Sequence, residues 1–175
     1  MGEVASPQSG GPGQPIAEPV PLSPAHDVSR FDCGKGPLND WLVRYAQSSE
    51  GKTARCFVAC TGNRVVGYYC SSAGSVEREK IPRKYRHGTP QFVPVVIVGR
   101  LAVDKEYQGR GLGQALLKDA LRRILAASKE VGARAVLVHA IDDEIVPFYA
   151  NFGFLQFPSD ARTLFLPLET VTKAL

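Results

Sequence analysis

The chain is poor in the residues that build metal centres. Of its 175 residues, four are cysteine and three are histidine. Cys33, Cys56, Cys60 and Cys70 form no Cys-x-x-Cys pair, and His26, His87 and His139 do not cluster with them. A zinc site is therefore not expected, and no other metal is implied. Cys56 and Cys60 fall in the apolar run Cys56-Phe57-Val58-Ala59-Cys60 and read as buried structural thiols. No apolar stretch is long enough to cross a bilayer, so no membrane association is expected. The N-terminus carries no basic segment followed by an apolar one, so no signal peptide is read there. Those two absences point to the cytoplasm, with the thiols reduced. Charge of one sign is not in great excess either. A formal net charge of +4 permits a polyanionic partner without demanding one.

What is present is ordinary for a folded protein: 44% hydrophobic and 22% charged residues. The length suits one α/β domain with a real core. Residues 1–21 are rich in Pro, Gly, Ser and Gln and cannot bury enough apolar surface to offset their ordering entropy. They are expected to form a disordered leader, with a single domain over 22–175.

Within that domain Pro37–Gln47 reads as an amphipathic helix. Leu38, Trp41, Leu42 and Tyr45 share one face, and Pro37 suits the first turn. Arg55–Thr61 and Arg64–Ser72 read as strands joined at Gly62-Asn63, a hairpin signal. Ser75–Pro94 is polar and broken by prolines, and reads as a long loop. Val95–Val103 is apolar on both faces, as a central strand should be, and Gly99 within it suggests a bulge or a close approach. Gly111–Val131 follows as a helix, with Gly132 as its left-handed cap. Arg134–Ile141 is the next strand. A short helix reaches about Asn151, its regular part starting near Val146 because of Pro147. Thr163–Leu168 is read as the last strand.

The chemistry is carried by Gln108-Gly109-Arg110-Gly111-Leu112-Gly113, between a strand and a helix. Successive backbone N–H groups and the positive helix end suit a diphosphate there, and Arg110 could pair with a further phosphate. A P-loop would need Lys-Ser/Thr after Gly113, where Gln114-Ala115 stands. A dinucleotide fingerprint would need Gly-x-Gly-x-x-Gly and an acidic residue about twenty positions on. Neither is found. The remaining pattern, Gln/Arg-x-x-Gly-x-Gly/Ala, fits Gln108, Gly111 and Gly113 without a gap.

Together with Gly99-Arg100-Leu101-Ala102-Val103 and with Phe148-Tyr149-Ala150-Asn151-Phe152-Gly153-Phe154, this loop resembles the GNAT superfamily of N-acetyltransferases. The three parts span most of Val95–Phe154. The resemblance implies an α/β (α+β) fold: a central mixed, twisted sheet flanked by helices and splayed between its fourth and fifth strands. It also implies acetyl-CoA as co-substrate. Leu101, Ala102 and Val103 would line its acetyl and pantetheine part, and Gln108, Gly109, Arg110, Gly111, Leu112 and Gly113 its diphosphate. Tyr149 would be the general acid. Phe31-Asp32-Cys33-Gly34, Leu38-Asn39, Trp41-Leu42, Pro94–Val103 and Val138-His139-Ala140 further resemble the GNAT toxins of bacterial toxin–antitoxin modules. That branch implies aminoacyl-tRNA as substrate, a ribbon-helix-helix antitoxin as partner, blocked translation and a homodimer.

No general base stands out, and His139 reads as a satisfied strand-end histidine. An α-amino group titrates near 8 and a lysine near 10.4, so a site without a strong base suits aminoacyl-tRNA or a protein N-terminus better than lysine. Arg78, Lys80, Arg83, Lys84 and Arg86 form a candidate RNA-contact segment, diluted by Glu77 and Glu79. Two other readings stay open: acetylation of a protein N-terminus or a small amine, and a non-catalytic acetyl-CoA-binding module.

Overall fold

The computed structural model describes residues 13–175; most of the expected leader, residues 1–12, lies outside the described residues. Seven strands form one sheet in the order β1-β2-β3-β4-β5-β7-β6. They are β1 (Val20–Pro21), β2 (Arg55–Thr61), β3 (Arg64–Glu77), β4 (Phe92–Val103), β5 (Ala135–His139), β6 (Leu155–Phe157) and β7 (Asp160–Pro167). The helices are α1 (Gly36–Arg44), α2 (Ala46–Ser49), α3 (Leu112–Ala127), α4 (Val146–Ala150) and α5 (Val171–Ala174). The sheet is mixed: β4 and β5 run parallel, while β7 is antiparallel to both β5 and β6. No described helix is long and apolar enough to cross a membrane.

By its internal contacts the chain groups into two compact units. One holds the described residues up to Cys70 with Arg100–Leu117; the other holds Ser71–Gly99 with Lys118–Leu175. In the first, Val58, Val65, Tyr68 and Leu42 are buried with Phe31, and Trp41 packs against them. Tyr68 donates to Leu38 O at 2.7 Å, which fixes α1 on this core. In the second, Ile81, Val93, Val95, Leu137, Phe157 and Phe165 form the core.

Several expectations are corrected. Order begins before Leu22: Ala17 N–H donates to Cys60 O at 2.9 Å, and Val20 and Pro21 pair with Val58 and Phe57. The edge of β2 offers ladder groups that even a Pro-rich segment can meet through its carbonyls and remaining N–H groups. Tyr45 is not on the buried face of α1; the helix ends at Arg44 and Tyr45 is 55% exposed. The loop expected over Ser75–Pro94 is shorter than its prolines suggest, because β3 runs to Glu77 and β4 starts at Phe92. Two 3-10 turns, Arg78–Lys80 and Arg83–Tyr85, fill the gap around buried Ile81. Gly132 takes no positive φ, and α3 ends at Ala127 in a turn. Strand β6 and helix α5 were not anticipated. Each is three or four residues long, too short for a period to show.

Candidate active site

The β4–β5 ladder pairs Val95–Val98 with Ala135–Val138 and stops there, while β4 continues to Val103. Beyond that point the first unit supplies a turn, Lys105–Tyr107, and then the glycine loop leading into α3. Gly109 and Gly111 hold φ of +76° and +80°, and a Cβ built on either would meet nothing within 4 Å. Glycine is required there by backbone conformation, since an L residue pays to enter this region, and the space above it is open. Ala115 N–H closes the first helical bond, onto Gly111 O at 3.1 Å. Helix geometry thus leaves the N–H groups of Leu112, Gly113 and Gln114 without intrahelical acceptors, aligned with the positive end of the helix. A diphosphate fits that donor set. The start of α3 seats on β3 at Gly67, where a Cβ would lie 3.0 Å from Leu116 Cδ1 and 3.2 Å from Leu112 Cδ2.

The side chain of Gln108 has a different duty from the one expected. Its Nε2 donates to Val103 O at 2.8 Å and to Cys33 O at 3.1 Å. Both amide protons are spent on protein, so only the backbone of Gln108 remains for an anion. Arg110 is exposed, its guanidinium 5.3 Å from the centroid of Tyr107. Ala102 is buried, whereas Leu101 and Val103 are half-buried.

Asp32, Cys33 and Asn39, which the sequence points to only through the family likeness, join with Asp104 to hold the turn before the loop. Asp104, 2% exposed, accepts from Glu106 N and Asp32 N at 3.0 Å each and faces the Arg64 guanidinium at 3.6 Å. Asp32 accepts from Gly34 N at 2.9 Å and Asn39 Nδ2 at 3.0 Å, and pairs with Lys105 Nζ at 3.1 Å. Gly34 N–H, then Asn39 and Lys105, hold the Asp32 carboxyl below the usual carboxylate range. Cys33 N–H donates to Asn39 Oδ1 at 2.9 Å. A clasp therefore joins Phe31–Asn39 to the turn before the glycine loop. An Asp directly after an apolar strand, followed by a Glu two places on, was the available signal.

In the second unit Tyr149 lies in α4, buried to 6% exposure, edge-on to Phe148 and Phe154 with centroids 5.1 and 5.7 Å away. Burial pushes its phenol up to about 12. It stays protonated throughout the neutral range. Pro147 stands in the first turn of α4, and Ile145 N–H donates to Asp142 Oδ1 at 3.1 Å just before it. That is how the helix tolerates its proline.

The basic segment divides. Arg86 donates from Nε to Ile81 O at 2.9 Å and from Nη2 to Glu79 O at 2.6 Å, so it braces the preceding turn. Arg78 donates to Thr89 O at 3.1 Å and lies 3.7 Å from Glu79, and Lys80 is 3.9 Å from Glu77. Lys84 sits 5.1 Å from the centroid of Tyr85, and Arg83 and Lys84 are both exposed. Among the described residues no three His, Cys, Asp or Glu side chains are grouped to hold a metal ion.

Residues 52–156 match the family described as acetyltransferase (GNAT) domain. The chain is 43% identical to a tRNA-acetylating toxin of Mycobacterium tuberculosis over 152 residues, 86% of this chain and 92% of that one. The fold is shared with AtaT complexed with acetyl-methionyl-tRNAfMet, at TM-score 0.84 and 27% identity over 91% of this chain and 98% of the other. A Tyr-to-Phe mutant of AtaT, bound to the C-terminus of the antitoxin AtaR, gives a TM-score of 0.79 with 27% identity over 91% and 96% of the two chains. The chain belongs to the GNAT acetyltransferases. It is an N-acetyltransferase, with the mixed sheet and flanking helices of that family.

Proposed function

We propose that this protein transfers the acetyl group of acetyl-CoA to the α-amino group of an amino acid carried on tRNA, and thereby blocks translation. One observation carries the reading: 43% identity to a tRNA-acetylating toxin, over 92% of that toxin's length. Residues 22–175 would act as one catalytic domain; the family match, residues 52–156, runs through segments of both compact units. Because its substrate would be charged tRNA, we expect the activity in the cytoplasm. The antitoxin-bound relative supports an antitoxin partner here, which we expect to be of the ribbon-helix-helix class, and we expect the toxin to be a homodimer.

Acetyl-CoA supplies an acyl group already activated as a thioester. The N–H groups of Leu112, Gly113 and Gln114 and the open backbone at Gly109 and Gly111 would hold its diphosphate, with Arg110 available to a further phosphate. The backbone of Leu101 and Val103, with Ala102 between them, would align the acetyl and pantetheine part. Leu101 and Val103 would serve through peptide groups, so their side chains are free to pack. Tyr149 would give the leaving sulfur its proton. A phenol near 12 is a weaker acid than a thiol near 8.5, so the proton moves only as charge gathers on sulfur. Arg83 and Lys84 would meet tRNA phosphates.

The reading is tested in a cell-free translation system. Addition of the protein with acetyl-CoA should stop synthesis, and addition without acetyl-CoA should not. Undiminished synthesis in both would count against it.

A further inference from the structure

The transfer needs a proton taken from the acceptor amine, and the sequence displayed no group for it. In the second unit, β5 ends at His139, the first residue past the Val98–Val138 end of its parallel ladder with β4. In open α/β sheets, ligands bind outside the carboxyl ends of parallel strands where the sheet opens. His139 is exposed there, and its Nδ1 lies 3.1 Å from Thr163 Oγ1 on β7. Thr163, 5% exposed, spends its one hydroxyl proton on Asp160 Oδ2 at 2.6 Å. The second contact of that oxygen must therefore be accepted. Nδ1 carries a proton and donates it to Thr163, which leaves Nε2 with its lone pair outward.

We infer that His139 is the general base of the acetyl transfer and that Thr163 and Asp160 are its positioning residues. The inference rests on the reading of the chain as an amine acetyltransferase. As the C–N bond forms and the C–S bond breaks, the amine proton passes to Nε2 of His139. The electron pair of the broken bond leaves with sulfur, which takes its proton from Tyr149. The imidazolium then gives up its proton and Tyr149 regains one, so the net change is one proton moved from nitrogen to sulfur. The positive ring is balanced through the Thr163 hydroxyl by Asp160. That carboxyl is held below its ordinary value first by Thr163, then by Arg162 N–H, with His139 contributing. The other charged groups on the adjoining segments are Arg162, paired with Asp143 at 2.8 Å, together with Asp142 and Glu144.

The test compares wild type with His139→Ala and Thr163→Val, using radiolabelled acetyl-CoA and a pool of charged tRNA or, if that takes no label, an unblocked peptide. His139→Ala should lower kcat about 10²-fold with acetyl-CoA affinity unchanged, and added imidazole should restore part of the rate. Thr163→Val should lower kcat by a smaller factor that imidazole does not repair. A His139→Ala enzyme within about two-fold of wild type, or a loss that imidazole leaves untouched, would overturn the assignment. Label in peptide and none in tRNA would refute the tRNA reading while leaving this comparison intact.

Discussion

Gln108 spans the gap between the end of β4 and the Phe31–Asn39 segment, its one amide group holding Cys33 O at 3.1 Å and Val103 O at 2.8 Å. The loop that should grip a diphosphate is therefore tensioned from outside itself. Gln108→Leu removes both bonds while keeping bulk. Each is worth about 1 kcal/mol, so acetyl-CoA affinity should fall by up to about thirty-fold, with kcat at saturation nearly intact. Calorimetric titration decides it; an unchanged dissociation constant would mean the strut is idle.

Gly111 should tolerate no side chain, although space is open around it. At φ +80° an alanine costs about 1–2 kcal/mol of backbone strain, and Gly111→Asp adds negative charge where the phosphates belong. Cofactor affinity should fall more for Asp than for Ala. Equal affinity for all three proteins would displace the diphosphate from this loop.

Gly67 tests how α3 is seated. The Cβ of Gly67→Ala would press on Leu116 and Leu112 at 3.0 and 3.2 Å. Overpacking of this kind costs about 1–3 kcal/mol. Denaturant unfolding should show a lowered midpoint with the slope unchanged.

Tyr149→Phe should lower turnover about 10²-fold and leave acetyl-CoA affinity unaltered. Because burial raises the phenol to about 12, wild-type kcat should show no loss of a tyrosine proton below pH 10. The same burial makes the fold alkali-sensitive. Cys60 is pushed up to about 11, and Cys33, Cys56 and Tyr68 are also raised by burial. Groups raised in the folded state bind protons that the unfolded chain releases, so stability should hold below about pH 8.5 and decline as pH rises toward 12. Flat stability up to pH 11 would contradict the burial of these groups.

Much of this was legible beforehand. Strand Val95–Val103, helix α3 and the glycine loop announce themselves because period, glycine and charge agree over a dozen residues or more. Of the clasp only Asp104 and Glu106 left a signal: Asp32 N–H and Cys33 O meet Asp104 and Gln108, 72 and 75 positions on, through backbone groups that leave no spacing signal, and Asn39 braces Asp32 and Cys33 locally. Nor was the His139–Thr163–Asp160 chain legible; it exists only because β5 and β7 are antiparallel neighbours in one register. Arg86 misled in the other direction. A basic run looks uniform in sequence, yet the Arg86 guanidinium is spent on the carbonyls of Glu79 and Ile81. Sequence shows charge, and only the fold shows which charges are already occupied.

The central claim meets its most direct test in acetyl transfer from radiolabelled acetyl-CoA into a mixed pool of charged tRNA, with uncharged tRNA and peptides as controls. The account predicts label in charged tRNA alone, released with the amino acid when the ester bond is hydrolysed. Label confined to peptides or small amines would contradict the tRNA function, though the fold and the acetyltransferase family would stand.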